Sequence, residues 1–298
     1  ENFPMLRTNM EYDEVAIGMS DNEQDILNMA RRMLKENLGY DNVMLAECHF
    51  LLGRSAIVRG QYGDGISHIQ SCISMVEGSN NRPLLLGAYR QMVFYGIQVD
   101  DRGIMDKYIR KGMERVKDDC QSSDYATLLR LRGLYEYRCD QLEKADVSLC
   151  EAFNLFTSLM NPECHYHLSR AACVNYRGKI RLKRGQMLME TDPEKAQDEF
   201  RAAEDIFRQA IDIGCCHYVT NGMGQFRANL GQALLYQGRL AEAEASLRES
   251  IECFSRHEGF YWGWDRAEAY LSLVCWKLGL NAEAEEHLAQ AEKMITIM

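Results

Sequence analysis

Apolar and small residues recur along the chain with the period of an α-helix, and one arrangement of them comes back six times. Between Asn229 and Ile251, two such segments flank a break at Gly238, which predicts two amphipathic helices joined by a short turn. In five copies a small residue lies midway along the first helix and another lies near the start of the second, with a larger apolar residue four positions later; the copy with Val93 and Met105 is degenerate. The first of these positions is held by Gly53, Val93, Gly133, Gly178, Gly231 and Ser272.

Gly231 occupies the interior of a predicted helix, where glycine costs roughly 1 kcal/mol relative to alanine. That cost is explained if a neighbouring helix passes too close for a β-carbon. Ala243, in the second helix of the same copy, is also small, and Leu247 follows it by four positions. The pattern therefore predicts antiparallel helix pairs in close contact, with the larger apolar residue filling the space between successive pairs.

This pattern resembles the tetratricopeptide repeat (TPR), whose L-G and A-x3-F core is matched by Leu52-Gly53, by Leu230-Gly231 and by Ala196 with Phe200. The copies are spaced more widely than the 34 residues of the ordinary repeat, and they lack its closing proline. In both respects the chain is similar to the MalT-like class of bacterial regulators, and also to the long repeats of eukaryotic polarity adaptors. The resemblance implies an all-α fold, an α-solenoid of about six antiparallel helix-pair repeats forming a right-handed superhelix.

The boundaries of the repeats follow from residues that start and end helices. We expect one repeat domain over residues 1–298, with residues 1–42 supplying an N-terminal helix or half repeat. Ser123 and Asn161-Pro162 are the predicted starts of the third and fourth repeats, and extra residues in the fourth fit an insertion around Met187–Pro193. The expected repeats cover residues 43–80, 83–120, 123–160, 162–213, 220–257 and 262–298.

The last predicted helix ends in the apolar residues Met294, Ile295, Ile297 and Met298, with no polar capping helix after them. The end of a solenoid normally carries such a cap. We therefore expect either that the native chain continues or that this end associates with another copy of the protein.

Composition and charge narrow the class of protein. The formal net charge of -10 argues against a nucleic-acid-binding surface over the whole molecule. The sequence has no apolar run long enough to span a membrane, and its first residues lack the pattern of a secretory signal. Its 11 cysteines are scattered and form no CxxC motif, which favours free thiols in a reducing, cytoplasmic compartment.

The resemblance implies that the first helices of successive repeats line a concave groove, and that residues on one side of each helix face into it. Cations and aromatic rings concentrated there in an acidic protein suit an acidic peptide or a carboxylate terminus. The alternative is that the arginines pair with neighbouring acids and that the aromatic rings belong to the core. The predicted partner-binding residues are Phe50, Arg54, Arg90, Phe94, Arg130, Tyr137, Asn175 and Lys179.

Other candidate chemistry is weaker. The basic stretch Tyr176–Gly185 is expected to be a solvated helix face balanced by the acidic residues that follow it, rather than a nucleic-acid site. Cys164–His167 and Cys215–Tyr218 carry zinc-type ligands without the spacing of a zinc motif, so no metal is expected there. No P-loop, HExxH, GxSxG or dinucleotide-binding motif is present, so we expect no enzymatic activity, no catalytic residues and no cofactor.

These observations favour a non-enzymatic module that binds a protein or peptide. We expect it to be a regulatory or sensor part of a larger cytoplasmic signalling or transcription-regulatory protein, and the resemblance to the MalT-like class implies a bacterial one. Two alternatives stay open. One is a freestanding adaptor that binds an acidic peptide, and the other is a regulator that uses the groove as a small-molecule pocket.

Overall fold

Thirteen α-helices and no β-strand make up the residues that the structure, a computed structural model, describes: 21–36, 40–162, 164–215, 220–256 and 263–297. Among them, no helix is both long and apolar enough to cross a membrane. The first six helices are α1 (Asp21–Glu36), α2 (Asn42–Val58), α3 (Tyr62–Val76), α4 (Arg82–Gln98), α5 (Arg102–Val116) and α6 (Ser123–Arg138). The next seven are α7 (Leu142–Ser158), α8 (His167–Leu188), α9 (Pro193–Cys215), α10 (Thr220–Tyr236), α11 (Leu240–Ser255), α12 (Trp264–Lys277) and α13 (Asn281–Ile297).

The helices form two compact units, one containing α1 to α6 and the other α7 to α13. Within each unit every helix packs against the next one along the chain. In the first unit α2, α4 and α6 also contact one another in succession, and in the second unit α8, α10 and α12 do the same. These are the contacts of stacked antiparallel helix pairs, so the predicted all-α repeat architecture is confirmed.

The close approach predicted at Gly231 is present. A β-carbon built on Gly231 would lie 2.6 Å from Cγ of Leu247 and 3.3 Å from the carbonyl oxygen of Ala243. Gly53 is in the same situation, since its β-carbon would lie 2.8 Å from the side chain of Ile69. Non-bonded carbons are normally at least about 3.5 Å apart, so only glycine fits at these two contacts.

The extra residues predicted around Met187–Pro193 lengthen the fourth helix pair. Helices α8 and α9 contain 22 and 23 residues, whereas the others contain 14 to 17. Gly185 therefore lies inside α8, where its β-carbon would meet the ring of Phe200 at 2.5 Å. Gly178 meets the ring of Phe207 in the same way, so the insertion adds a further glycine–phenylalanine contact to the pair.

Two predicted helix starts are wrong by a few residues. Ser122, not Ser123, caps α6, and its hydroxyl accepts a hydrogen bond from the backbone N–H of Tyr125 at 3.2 Å. Asn161 does not cap α8, because its backbone pairs with that of Cys164 in a separate turn and its side chain accepts from the same residue. Helix α8 begins only at His167.

A buried acid ties α9 to the turn after α10. Glu204 is 7% exposed and accepts hydrogen bonds from Gln237 at 2.9 Å and from Arg208 at 2.9 Å, and Arg239 pairs with it at 2.5 Å. Burial alone would raise the pKa of Glu204, but these hydrogen bonds and the two guanidinium charges lower it below the ordinary value. The ionised carboxylate therefore stabilises the contact between successive helix pairs.

The apolar residues near the end of the chain are in different environments. Met294 is 2% exposed, so it belongs to the core, contrary to expectation. Ile295 is 61% exposed, as expected. The side chain of Ile297 and the whole of Met298 lie outside the described residues.

Candidate functional site

All eight predicted partner-binding residues lie on the first helices of the helix pairs. In the first unit, α2, α4 and α6 carry Phe50, Arg54, Arg90, Phe94, Arg130 and Tyr137; in the second unit, α8 carries Asn175 and Lys179. They fall into an enclosed group and a half-exposed group.

The enclosed group contains Phe50, Arg90, Arg130 and Asn175, which are 4%, 6%, 7% and 2% exposed. Each lies three residues before the repeated small position, on the side of the first helix that faces the first helix of a neighbouring pair. The ring of Phe50, for example, lies 3.3 Å from where a β-carbon of Gly87 would be. The sequence pattern placed these residues on first helices but did not predict their burial, because burial depends on how closely the next first helix approaches.

Asn175 shows what the enclosed position does in the second unit. Its side-chain carbonyl accepts a hydrogen bond of 2.9 Å from the side-chain amide of Asn229. The bond joins α8 to α10, and both side chains are buried. A buried amide pair of this kind fixes the register of two helices, because breaking it leaves polar atoms unsatisfied.

The half-exposed group contains Arg54, Phe94, Tyr137 and Lys179. Arg54 and Phe94 directly follow the small position of their helices, and Tyr137 lies one turn further along its own. We call Arg54, Phe94 and Tyr137 the cationic–aromatic strip, because α2, α4 and α6 contact one another in succession within the first unit. In the second unit, Lys179 directly follows the small position and holds its ammonium group 4.8 Å from the ring centre of Tyr176.

Arg90 and Arg130 are enclosed on the first helices α4 and α6, which also carry Phe94 and Tyr137. The guanidinium of Arg90 approaches within 3.9 Å of the β-carbon position of Gly87, at the same place as the ring of Phe50. Arg130 occupies the corresponding position of α6. The guanidinium group is always charged, so each of these two enclosed residues carries a positive charge within its helix pair.

The basic stretch Tyr176–Gly185 is balanced by acids, but two of its three arginines pair with acids that precede it and not, as expected, with those that follow it. Its three arginines make ion pairs that reach both neighbouring helices, α7 and α9, of the second unit. These pairs are Arg177 with Asp146 at 2.7 Å, Arg181 with Glu199 at 3.2 Å and Arg184 with Glu143 at 3.1 Å.

Among the described residues of Cys164–His167 and Cys215–Tyr218, none belongs to a group of three or more side chains that could hold a metal ion. Cys164 lies in the turn before α8, His167 is the first residue of that helix, and Cys215 is the exposed last residue of α9. Residues 216–218 lie outside the described part of the chain.

Sequence reasoning missed the contacts made by the residue four positions before the repeated small position. In three helix pairs this residue contacts the one nineteen positions later, on the second helix: His49 with His68, Tyr89 with Tyr108 and Glu268 with His287. The Nδ1 atoms of His49 and His68 are 2.8 Å apart, so one ring donates and the other accepts. Burial lowers the pKa of both imidazoles, and mutual repulsion lowers that of His49 further.

A cavity of about 370 Å³ lies within the second unit, between α9, α10 and α11. Its wall includes Arg208, Asp212, Arg227, Glu242 and Glu249. Arg227 donates to Glu249 at 2.6 Å, so charges of both signs compensate one another across the cavity. Such a wall suits a small zwitterionic molecule better than a multiply charged anion.

Comparison with known proteins bears on the fold. Neither protein-family models nor curated proteins gave a match. Among solved structures, a Rap protein complexed with competence and sporulation factor matches with a TM-score of 0.63 and 14% identity, over 93% of this chain and 78% of the Rap chain. The apo form of RapI matches with a TM-score of 0.60 and 10% identity, over 92% of this chain and 99% of that one. BtubC from P. vanneervenii matches with a TM-score of 0.50 and 16% identity, over 79% and 89%.

These neighbours are similar to the chain in fold alone, since their identities are low. The Rap structures are TPR-like repeat proteins, so the resemblance read from the sequence is confirmed at the level of a TPR-type repeat fold.

Proposed function

We propose that this protein is a non-enzymatic module that binds a protein or peptide partner through the first helices of its repeats. The observation that carries the proposal is the cationic–aromatic strip, Arg54, Phe94 and Tyr137, presented by three successive first helices in a chain of net charge -10. Arg54 gives the strip a local positive charge, which can pair at short range with a carboxylate of an acidic segment. Complex formation by a Rap protein of similar fold, with competence and sporulation factor, supports the same use of the fold.

The strip suits an acidic peptide that also offers apolar side chains. Arg54 provides a planar guanidinium that pairs with a carboxylate through two hydrogen bonds. Phe94 and Tyr137 provide ring faces for the apolar side chains of the same peptide. Each exposed ion pair contributes about 0.2–1 kcal/mol, so affinity requires several contacts at once. The packed helices fix the backbone that carries these side chains, which limits the entropy lost on binding.

The wider context of the module is also part of the proposal. The long repeat spacing and missing prolines favour the MalT-like class, and with it a role in a bacterial signalling or transcription-regulatory protein. Scattered cysteines without a CxxC motif favour the cytoplasm. The reading frame on either side of this chain distinguishes a module of a larger protein from a freestanding adaptor.

Binding of synthetic peptides, measured by fluorescence anisotropy, tests the proposal. A glutamate-rich peptide with interspersed leucines should bind, and its glutamine and lysine counterparts should not. Arg54→Glu should weaken binding at least several-fold. Arg102→Glu is the control and should leave binding unchanged, because Arg102 is exposed on α5, the second helix of its pair. Charge reversal at Arg90 or Arg130 is uninformative, because it would bury an acid and destabilise the fold.

Salt dependence provides a second readout. The Debye length falls from about 10 Å at 0.1 M to about 3 Å at 1 M salt, so affinity for the acidic peptide should fall over that range. Equal binding of all three peptides, or equal effects of the two charge reversals, would exclude the strip as the site.

The cavity in the second unit supports one alternative, a small-molecule regulator. In that case Arg227→Gln should abolish the stabilisation given by a zwitterionic ligand such as a free amino acid, while peptide binding to the strip stays intact. A thermal-shift screen of free amino acids against the unmodified protein and the Arg227→Gln variant distinguishes small-molecule binding in the cavity from peptide binding on the strip.

A further inference from the structure

Three side chains with metal-binding atoms meet on the α12–α13 pair, away from the strip. Cys275 lies on α12, and Glu283 and His287 lie on α13. One potential ligand atom from each residue, a sulfur, a carboxylate oxygen and a ring nitrogen, lies within 4.8 Å of the other two. Within the part of the chain that the structure describes, this is the only group of three or more such side chains.

The spacing and depth of the three residues suit a bound ion. Glu283 and His287 are four residues apart on one helix, so both side chains project from the same face. Cys275 is fully buried and forms the floor, whereas Glu283 is about half exposed and leaves a path for an ion from solvent. Tetrahedral zinc with ordinary bond lengths places its ligand atoms about 3.5 Å apart, so rotamer adjustments of about 1 Å would close the site.

A fourth residue holds the histidine in position. Glu268 is 3% exposed, and one of its carboxylate oxygens is 2.6 Å from Nδ1 of His287. Its other oxygen accepts a hydrogen bond of 2.9 Å from the indole N–H of Trp264. With Nδ1 engaged by a carboxylate, the histidine keeps Nε2 for a metal. The arrangement is that of the carboxylate–histidine–metal triads that orient ligands in zinc proteins.

Glu283 can bind an ion through one carboxylate oxygen while the other pairs with an arginine. Its Oε2 is paired with Arg248 of α11, and Arg248 is also hydrogen-bonded to Glu244 at 2.9 Å. A carboxylate has two oxygens, so the other oxygen of Glu283 can bind an ion while the arginine orients the group. Three protein ligands of sulfur, nitrogen and oxygen type, with a fourth position for water, match zinc better than magnesium or calcium, which prefer oxygen ligands.

We propose that Cys275, Glu283 and His287 form a zinc-binding site, with Glu268 as the residue that positions His287. The ion would join α12 to α13 and so stabilise the last helix pair of the second unit, because the binding free energy of a structural zinc ion adds to folding free energy.

Spectroscopy with Co²⁺ tests the site on the full chain. Titration of the metal-free protein should give the thiolate-to-cobalt charge-transfer band and the intense visible bands of tetrahedral Co²⁺, with one equivalent bound and displaced by Zn²⁺. Cys275→Ser should abolish the charge-transfer band. Cys120→Ser, which removes an exposed cysteine of the first unit, is the matched control and should leave the spectrum unchanged.

Two further variants keep the test decisive if a change in the core impairs folding. Glu283→Gln alters a half-exposed side chain and should weaken Zn²⁺ binding at least tenfold without changing the circular dichroism spectrum. Glu268→Gln should weaken it about 10- to 100-fold while the stoichiometry stays at one, as expected of a positioning residue.

The melting temperature gives an independent readout. Zn²⁺ should raise it in the unmodified protein and in Cys120→Ser, but not in Cys275→Ser or Glu283→Gln. A charge-transfer band of equal intensity in Cys275→Ser would place the metal on other cysteines, and failure to bind Co²⁺ or Zn²⁺ at micromolar concentration would show that the Glu268–His287 pair is purely structural. Either result would overturn the proposal.

Discussion

Replacing Gly231 with alanine should destabilise the α10–α11 pair, although alanine is the better helix former. The added β-carbon would lie 2.6 Å from Cγ of Leu247, about 1 Å closer than carbon atoms in ordinary contact. Leu247 is fully buried, and the clashing atom is a branch point rather than the flexible end of its side chain. The side chain therefore cannot move away without disturbing its neighbours.

The two opposing contributions can be compared. Alanine in place of glycine in a helix interior gains roughly 1 kcal/mol. Overpacking of a well-packed contact costs about 1–3 kcal/mol. Gly231→Ala should therefore lower the free energy of unfolding by about 0–2 kcal/mol. Gly63→Ala is the matched control, because Gly63 lies in α3 with nothing within 4 Å of its β-carbon position. That substitution should be neutral or stabilising by up to about 1 kcal/mol.

If the clash with Leu247 is the cause, truncating Leu247 should reverse the sign of the stability change produced by Gly231→Ala. Leu247→Ala alone should destabilise by about 2–5 kcal/mol, because it leaves a cavity. In that background Gly231→Ala should become stabilising, since the clashing atoms are gone. The double-mutant cycle therefore predicts a favourable coupling energy of about 1–3 kcal/mol.

Urea unfolding followed by circular dichroism measures the global effect. Because long repeat arrays need not unfold in one step, hydrogen exchange of the α10 and α11 amides measures the local effect. If Gly231→Ala stabilises the protein as Gly63→Ala does, or if Leu247→Ala fails to reverse its sign, the glycine is not required by helix–helix contact.

Three further predictions concern other parts of the molecule. Stability should fall as the pH drops below about 6.5, because His49 and His68 have lowered pKa values in the folded protein and take up protons more readily when it unfolds. Urea midpoints at about pH 7.5 and about pH 5.5 measure this loss, and His49→Gln should reduce it. Glu204→Gln should cost about 1–2 kcal/mol at neutral pH, after allowance for the solvent exposure of its arginine partners. The difference should shrink as the pH falls through the lowered pKa of that carboxyl, and a constant difference in calorimetric scans would contradict the assigned hydrogen bonds. Finally, Leu288 and Ile295 are 49% and 61% exposed on one face of α13, so sedimentation should show self-association that glutamate at both positions abolishes. A monomer at high concentration would refute this last prediction.

The all-α architecture and the pairing of α2 with α3 and of α10 with α11 could be predicted from the sequence. Gly231 with Leu247 and Gly53 with Ile69 are complementary small and large residues about sixteen positions apart, on either side of a short turn. Such local patterns are readable because the helical period places each residue on a known face, and a short turn leaves two helices antiparallel. The cationic and aromatic residues of the first helices could be found in the same way.

How deeply those residues are buried, and which distant side chains meet, depends on the packing of the whole fold and not on the local sequence pattern. Arg54, Arg90 and Arg130 each lie on a different first helix, yet only Arg90 and Arg130 are enclosed. The distance between successive first helices is set by long-range packing and not by the helical period. Likewise, Cys275 meets His287 only because the α12–α13 turn returns the chain at one particular angle. Periodicity assigns a residue to a helix face, whereas burial and side-chain contact depend on interhelical distances and crossing angles to which the whole core contributes.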